Sequence, residues 1–251
     1  MIDTIAVLTG ASRGLGASLA RGLLRPGVKL VTLARRDDAE LAAQAKAAGA
    51  ELEQIQVDLS DLAAAEAAGQ RIAALLAPGA RRYLLINNAG TVDPVVASPA
   101  MTDGPAIARA FNLNVTAVML LTARFLQAVA GLDAQRRVIN ISSGAGRSPT
   151  AGWGVYCATK AALDIYTRVL NQEQGAAGVR AVSLAPGIVD TDMQAAIRSS
   201  DPAHFPALAK FQDFKKSGAL AQPDAVAARI LAYLDRDDFG ATEIDDIRNY
   251  Q

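Results

Sequence analysis

The sequence predicts an α/β fold, a single doubly wound parallel sheet of about seven strands flanked by helices. Short apolar runs alternate along the chain with longer, alanine-rich stretches that have helical spacing, which is the pattern of repeated β-α-β units. Parallel sheets of this kind are covered by helices on both faces. No linker rich in Gly, Pro or Ser interrupts the 251 residues. One domain spanning 1–251 is therefore predicted.

The strands and helices are predicted in alternating order. Strands are expected near 3–9, 28–34, 52–57, 82–87, 136–142, 179–185 and 242–246. Helices are expected near 14–25, 38–48, 61–77, 105–130, 155–176 and 223–235. Asp37 with Glu40 three residues later resembles a capping box at the start of the second helix. The segment 190–220 breaks the alternation after a strand end, where open α/β sheets bind ligands, so a substrate lid is expected there.

Composition excludes several classes of function. Lys plus Arg and Asp plus Glu each number 25, so no net charge attracts nucleic acid or an anionic membrane. No apolar run approaches the roughly 18 residues that span a bilayer. The lone Cys157 excludes an internal disulfide and favours a cytoplasmic location. The lone His204 argues against a Ser-His-Asp hydrolase or a His-ligated metal, and is expected on the surface or in the lid.

A glycine-rich turn follows the first strand. It reads Thr9-Gly10-Ala11-Ser12-Arg13-Gly14-Leu15-Gly16 and leads directly into an apolar helix. Glycines allow close backbone approach, and a helix N-terminus offers free N–H groups and a positive dipole end to a pyrophosphate. This placement predicts a dinucleotide site.

The spacing of this turn, Gly-x3-Gly-x-Gly after a Thr, resembles the signature of the short-chain dehydrogenase/reductase family. Other motifs of that family occur in the expected order: Asn87-Asn88-Ala89-Gly90, Asn114, Ser143 with Tyr156 and Lys160, and Pro186-Gly187 followed by Thr191. The resemblance covers nearly the whole chain. It implies a Rossmann-like fold and an oxidoreductase that transfers a hydride between a nicotinamide cofactor and a carbonyl or alcohol carbon.

The end of the second strand points to NADP(H). Many NAD enzymes carry an acid there for the ribose 2′-OH, whereas this chain has Arg35 and Arg36, with Arg13 in the glycine turn. Guanidinium groups can bind a 2′-phosphate through paired hydrogen bonds. Arg36 could equally be a solvated residue at a helix start, and Asp58, the family's adenine contact, could be a helix N-cap.

The resemblance implies a full set of cofactor contacts. These are Gly10, Ser12, Arg13, Gly14, Leu15, Gly16, Arg35, Arg36, Asp58, Leu59, Asn88, Ala89, Gly90, Tyr156, Lys160, Pro186, Gly187, Ile188 and Thr191.

Tyr156 and Lys160 are four residues apart, so a helix places them on one face, where an ammonium would lower the pKa of the phenol. The resemblance implies that Tyr156 is the proton donor and that Lys160 also binds the nicotinamide ribose. It further implies that Ser143 stabilises the carbonyl oxygen and that Asn114 holds a water that links Lys160 to solvent. Ser142 and Asn112 are the alternatives to Ser143 and Asn114.

Several segments resemble one branch of the family, the sepiapterin reductases and their benzil-reductase-like relatives. They include Gly152-Trp153-Gly154-Val155-Tyr156-Cys157-Ala158 and Asp190-Thr191-Asp192-Met193-Gln194. The substrate is then expected to be a ketone or vicinal dicarbonyl on a planar body, contacted by Ser143, Trp153, Tyr156, Met193 and Asp245. Trp153 is as often a core residue. Asp245 matches the pterin-anchoring acid of the branch only with a one-residue gap, so Asp246 and Glu243 remain alternatives.

Two other functions remain open from the sequence. A 3-oxoacyl reductase acting on a carrier protein would need a basic patch, for which only Arg147, Lys210, Lys215 and Lys216 are available. A sensor that binds NADP(H) without turnover would be expected to lose Tyr156 or Lys160. The resemblance also implies a homodimer or tetramer formed through the helices near 105–130 and 155–176.

Overall fold

In the computed structural model, which describes residues 1–250, seven strands form one parallel sheet. They are β1 (Thr4–Thr9), β2 (Val28–Ala34), β3 (Glu51–Gln56), β4 (Arg82–Asn87), β5 (Gln135–Ile141), β6 (Val179–Ala185) and β7 (Ile244–Asp246). Their spatial order is β3-β2-β1-β4-β5-β6-β7. The order reverses between β1 and β4, and a crevice opens at the carboxyl ends of the strands at such a point. The predicted α/β fold with a doubly wound parallel sheet is confirmed.

Nine α-helices connect or follow the strands within residues 1–250. They are α1 (Gly14–Leu23), α2 (Ala39–Ala48), α3 (Leu62–Leu75), α4 (Gly104–Phe111), α5 (Ala117–Ala128), α6 (Gly154–Gln174), α7 (Asp192–Arg198), α8 (Leu208–Lys216) and α9 (Pro223–Asp235). A π-helical turn, Asn112–Thr116, joins α4 to α5, so these three form one continuous helical segment.

Two apolar layers hold the helices against the sheet. Successive side chains of a strand point to opposite faces, and all six residues of β1 are buried. Ala6 and Leu8 pack in the layer with α1 and α9, whereas Ile5 and Val7 pack in the layer with α3 and α5. Burial on both faces explains why the strands read as continuous apolar runs.

The predicted helix starts near 38 and 61 agree with the structure, but the candidate capping residues Asp37 and Asp58 are wrong. Asp38, rather than Asp37, caps α2, because its carboxylate accepts a hydrogen bond from the Leu41 backbone N–H at 3.0 Å. Asp61, rather than Asp58, caps α3 through the N–H groups of Ala63 and Ala64. In each case the residue immediately before the helix has the extended backbone conformation that an N-cap requires.

The segment 190–220, called the lid below, contains two helices that the sequence did not predict, α7 and α8. Its two ends are joined, because the Asp190 N–H donates to Ala221 O at 2.9 Å and the Ala221 N–H donates to Ile188 O at 2.9 Å. Lys215 also pairs with Asp190 at 2.7 Å. The lid is therefore an insertion whose first and last residues lie next to each other beside β6.

Gly152 allows the lid to approach the start of α6. Its φ of +86° lies in the left-handed region, and a Cβ there would come within 2.5 Å of His204 O. The chain at Gly152 also accepts a backbone hydrogen bond from Val96. A side chain at this position would be strained and would push the lid away from α6.

One helical segment meets the length and composition of a membrane span. The segment Gly104–Ala128 is 25 residues long, and its most apolar 18-residue window has a mean hydropathy of 1.4. The expectation that no apolar stretch reaches this length is therefore wrong. Packed helices of globular domains meet the same criterion, and here α5 packs against α3 while the π-helical turn packs against α6.

Candidate active site

A cleft of about 1210 Å³ lies over the carboxyl ends of the central strands. Its floor is the glycine turn and the ends of β4, β5 and β6, and its outer wall is the lid. Most of the residues predicted from the sequence line it: Gly10, Ser12, Arg13, Gly14, Leu15, Gly16, Arg35, Asp58, Leu59, Asn88, Ala89, Gly90, Ser143, Trp153, Tyr156, Lys160, Pro186, Gly187, Ile188, Thr191 and Met193. Arg36, Asn114 and Asp245 do not line it.

The glycine turn forms an open backbone cradle, which side chains at the glycine positions would fill. Gly10 has a φ of +72° and Gly14 a φ of +53°. A Cβ on Gly16 would lie 2.0 Å from Gly10 O, so α1 begins in direct contact with the turn. The bare backbone at the start of α1 suits an anionic group such as a pyrophosphate, because helix N-terminal N–H groups lack partners within the helix.

Asn88 fastens this cradle to the sheet. Its side-chain amide donates to Thr9 O at 3.0 Å and to Gly10 O at 3.2 Å. The Thr9 hydroxyl in turn accepts from the backbone N–H groups of Asn88 and Ala89, each at 2.9 Å. The Asn88 amide is thus occupied in holding β1 to β4, and this part of the motif shapes the cleft through the backbone.

The basic residues near β2 differ in position. Arg35 is exposed and lines the cleft, whereas Arg36 is exposed outside it. Asp58 lies in the cleft, where the Ser60 N–H and hydroxyl donate to its carboxylate and, with the charge of Arg35, lower its pKa. Arg13 reaches across to the lid and pairs with Asp192 at 3.3 Å. Because both groups are largely exposed, this ion pair contributes little to stability.

Tyr156 is buried at the base of the cleft and faces Ser143. Burial raises the pKa of its phenol to about 12, although a hydrogen bond with Ser143 lowers it. The expectation that Lys160 lowers the pKa of this phenol is not met. The Lys160 ammonium lies 5.6 Å from the centre of the Tyr156 ring and donates to Ile141 O at 2.7 Å. The phenol is therefore protonated at neutral pH and can act as an acid.

Lys160 is also buried, with a side chain that crosses from α6 to the end of β5. Burial lowers the pKa of its ammonium to about 8, and the negative charge of Asp164 opposes this shift. The group is mostly charged at pH 7 and loses its proton as the pH rises through about 8. A methyl group on Gly90 would lie 3.7 Å from Lys160 Nζ, so the predicted cofactor loop passes directly over the ammonium.

Asn114 lies in the π-helical turn and is 1% exposed. Its amide donates to Thr91 O at 2.8 Å and to the Thr159 hydroxyl at 3.1 Å, and its oxygen accepts from the Thr91 N–H at 2.9 Å. Single π-helical turns are frequent at functional sites. The alternative residue, Asn112, donates to Ser60 O, whereas Asn114 Oδ1 and Lys160 Nζ both lie beside Gly90, so the geometry favours Asn114.

The two serines after β5 have different partners. The Ser142 hydroxyl donates to the buried carboxylate of Asp164 at 2.7 Å. The Ser143 hydroxyl accepts from the Ala145 N–H at 3.1 Å and keeps its own proton available toward Tyr156. The geometry therefore favours Ser143 as the hydroxyl that faces a reacting group.

An aromatic wall, formed by Trp153, Phe211 and Phe214, lines the lid side of the cleft, and the buried Phe205 supports it. Phe205 stacks on Trp153 with ring centroids 5.3 Å apart and an interplanar angle of 15°. Trp153 also meets the Tyr156 ring edge to face at 5.3 Å. Phe211 and Phe214 line the cleft but were missed by the sequence analysis. Their i, i+3 spacing was the available signal, hidden by the prolines and lysines around α8.

The acid predicted to bind substrate does not reach the cleft. Asp245 is 3% exposed and accepts hydrogen bonds from the hydroxyls of Tyr233 and Tyr250 and from the Asn249 amide. Neighbouring residues of a strand point to opposite faces, so Asp246 lines the cleft instead. Its carboxylate is held by Arg248, whose Nε and Nη2 donate at 2.8 Å and 2.6 Å. Glu243 is outside the cleft lining.

Comparisons with known proteins agree with this arrangement. The family model described as short chain dehydrogenase matches residues 4–202. A benzil reductase ((S)-benzoin forming) from Bacillus subtilis is 36% identical over 237 residues, which cover 92% of this chain and 93% of that protein. A sepiapterin reductase from Bos taurus is 38% identical over 251 residues, covering 94% and 91% respectively.

A solved structure shares the whole architecture. It is a protein from Beutenbergia cavernae, provisionally described as an NAD(P)-dependent gluconate 5-dehydrogenase, with NADP bound at low occupancy. It is 26% identical, has a TM-score of 0.80, and the match covers 98% of this chain and 96% of that one.

Proposed function

This chain belongs to the short-chain dehydrogenase/reductase family of oxidoreductases, and from that premise we propose that it is an NADPH-dependent carbonyl reductase. The observation that carries the proposal is the meeting of Ser143, Tyr156 and Lys160 at the base of a cleft that also contains the glycine cradle. The family uses NAD(P)H, so the cradle and the catalytic side chains would serve one reaction.

Three features support NADPH over NADH. Arg35 lines the cleft at the end of β2, where its guanidinium can pair with a 2′-phosphate. No carboxylate stands at the end of β2 itself, since Ala34 is followed by Arg35 and Arg36. Arg13, on the facing glycine turn, adds a second positive charge once it leaves Asp192.

Tyr156 would supply the proton and Ser143 the stabilising hydrogen bond. When bound, the reduced nicotinamide supplies the hydride that reduces the carbonyl carbon. The Tyr156 phenol, protonated at neutral pH, delivers its proton to the carbonyl oxygen as negative charge develops there. The Ser143 hydroxyl donates to the same oxygen, and such a donor stabilises the transition state more than the ground state. The product is an alcohol and the phenol is left as a phenolate.

Lys160 and Asn114 would restore the phenol. The buried ammonium stabilises the phenolate and is itself close to Asn114, since a methyl on Gly90 would lie within 3.2 Å of Asn114 Oδ1 and 3.7 Å of Lys160 Nζ. Asn114 Oδ1 accepts one hydrogen bond from Thr91 and has a second lone pair for a water. A proton can then reach Lys160 from solvent through that water.

The substrate we infer is a vicinal dicarbonyl or ketone on an aromatic body. The aromatic wall offers ring faces and edges beside Tyr156, and aromatic pairs contribute about 0.5–1.5 kcal/mol beyond the buried area. A pterin would need a free acid for its amino-imine edge, but Asp245 is enclosed by tyrosines and Asp246 is held by Arg248. A diaryl diketone makes no such demand, so benzil-like substrates are favoured over sepiapterin.

The alternative of a 3-oxoacyl reductase has weaker support. Two of its four candidate docking residues are paired with carboxylates, Arg147 with Asp164 and Lys215 with Asp190. Lys210 lies over the ring of Phe214. A carrier protein would meet few free positive charges at this mouth.

We expect Tyr156→Phe to lower carbonyl reduction by about 10²–10⁴-fold, because the proton donor is lost while the ring still packs on Trp153. Steady-state rates with NADPH and benzil measure the loss, and NADPH fluorescence titration checks that the cofactor still binds. Tyr166→Phe is the matched control, since Tyr166 is on the same helix but outside the cleft lining. A Tyr156→Phe variant as active as Tyr166→Phe would exclude the assigned donor.

Arg35→Ala should raise the KM for NADPH by roughly 10–100-fold, the cost of a lost charged hydrogen bond, while the KM for NADH changes little. The control is Arg36→Ala, which removes the same charge outside the cleft and should have a small effect. Initial rates against each cofactor separate the two residues. Equal losses with NADPH and NADH in Arg35→Ala would show that Arg35 does not recognise the 2′-phosphate.

Initial rates against benzil, sepiapterin and a 3-oxoacyl thioester, each with NADPH, test the substrate class. The aromatic wall and the occupied acids predict the highest kcat/KM for benzil. A preference for sepiapterin would mean that Asp246 leaves Arg248 to bind the pterin, and Asp246→Asn would then lower that activity selectively. A preference for the thioester would contradict the aromatic substrate.

We also propose that two copies associate through the outer faces of α5 and α6. Met119, Ile165 and Val169 are 43%, 58% and 40% exposed there, and members of this family are commonly oligomeric. Sedimentation velocity should give a dimer or tetramer, and Ile165→Glu should shift it toward monomer because a buried charge is costly. A wild-type chain that sediments as a monomer at tens of micromolar would disprove the association.

A further inference from the structure

We propose that Asp164 is a positioning residue for this carbonyl reduction. This inference rests on the proposed function. Asp164 holds the end of β5 in place through Ser142 and keeps a negative charge one helical turn beyond Lys160. None of the roles assigned above to Ser143, Tyr156, Lys160 and Asn114 involves it.

Asp164 is a buried carboxylate with an unusual set of partners. It is 8% exposed. Its Oδ1 accepts from the hydroxyls of Ser142 at 2.7 Å and Ser183 at 2.6 Å. Its Oδ2 receives no hydrogen bond, and the nearest cation, Arg147 Nε, is 3.7 Å away. A buried carboxylate that is only partly satisfied costs free energy.

The two serine contacts fix the backbone that carries the reacting groups. Ser142 lies between Ile141, whose carbonyl accepts from Lys160 at 2.7 Å, and Ser143. Ser183 is on β6, the strand paired with β5. Asp164 therefore clamps α6 to two adjacent strands at the level of the site, and any shift of β5 would move the Ser143 hydroxyl and the lysine's acceptor together.

A neutral acceptor would make the same clamp, so the charge needs a separate reason. An Asn at 164 could accept from both serines without burying a charge. The negative charge of Asp164 opposes the effect of burial on the pKa of Lys160, which is lowered to about 8. The charge thus keeps the ammonium populated near neutral pH, where the phenolate left by proton transfer has to be stabilised.

Few other charged or titratable groups surround this pair. Tyr156 and Cys157 are on the same helix, and Arg147 approaches from the turn after β5. Asp246 on β7 has its pKa lowered mainly by the hydrogen bonds from Arg248, and the charge of Arg147 adds to this effect. β6 and the π-helical turn contribute the neutral side chains Ser183 and Asn114. Asp164 is therefore the main negative charge acting on Lys160.

Asp164→Asn tests the charge while keeping the acceptor. The direction of the expected shift follows from Lys160. Without the nearby negative charge the ammonium is less stable, so the pKa of Lys160 falls. We expect the basic limb of the kcat/KM profile for carbonyl reduction to move down by roughly one pH unit. With a limb near pH 8, this halves the rate at pH 7 and lowers it about five-fold at pH 8.

Two further variants separate charge from structure. Ser183→Ala removes one of the two hydroxyl groups that donate to Asp164 and leaves the charge of Asp164 in place. The basic limb of its kcat/KM profile should therefore lie at the same pH as in the wild type. Arg147→Gln removes the cation beside Asp164 and should move the limb upward, opposite to Asp164→Asn. If Asp164→Asn lowers kcat without moving the limb, or moves it no further than Ser183→Ala, the charge has no role in the reaction.

A measurement without turnover keeps this inference separate from the proposed function. The titration of Lys160, followed by NMR of the protein with 13C-labelled lysine side chains, should shift down in Asp164→Asn and up in Arg147→Gln. An unchanged Lys160 titration would overturn the inference even if benzil is reduced. If the wild type reduces no carbonyl compound, the proposed function fails while the titration still decides the effect of Asp164 on Lys160.

Discussion

The hydrogen bond from Lys160 to the carbonyl of Ile141 is the interaction on which the site depends. It joins the long helix α6 to the end of β5 inside the protein, where a charged donor and a carbonyl interact strongly. Once this contact is made, the helical repeat places Tyr156 one turn before Lys160 and Asp164 one turn after it. Ser143 follows Ile141 by two residues, so the facing hydroxyl and phenol are set by the same contact.

Burial then determines the protonation states. A lysine beside a tyrosine on an exposed helix would lower the pKa of the phenol, but here both groups are removed from water and desolvation dominates. The pKa of Tyr156 is raised and that of Lys160 is lowered. The phenol therefore keeps its proton at neutral pH, whereas the ammonium loses its proton more readily than an exposed lysine does. A protonated donor beside a labile ammonium suits the reduction of a carbonyl more directly than the oxidation of an alcohol, for which the phenolate is needed.

Sequence reasoning predicted those parts of the molecule that depend on local spacing. The glycine turn, the Tyr156–Lys160 pair and the order of strands and helices follow from residues close together in the chain, and the fold is as predicted. Asp245 was selected over Asp246 because a one-residue offset in a three-residue strand is invisible without its pairing to β6, yet that offset exchanges the two faces. Phe211 and Phe214 were missed because only tertiary packing brings α8 over Trp153.

The acid that lines the cleft on β7, Asp246, and the acid beside Lys160, Asp164, lie near the same arginine. Arg147 stands near Asp164, 3.7 Å away, and its charge also acts on Asp246 in β7. Asp246 lines the cleft with Arg248, whereas Asp164 acts on Lys160. The Arg147 side chain is 36% exposed, so solvent screens part of its charge. Arg147 therefore joins the β7 edge of the cleft to the carboxylate on α6, and the proposed role of Asp164 requires this cation to neutralise Asp164 only in part, which the 3.7 Å separation permits.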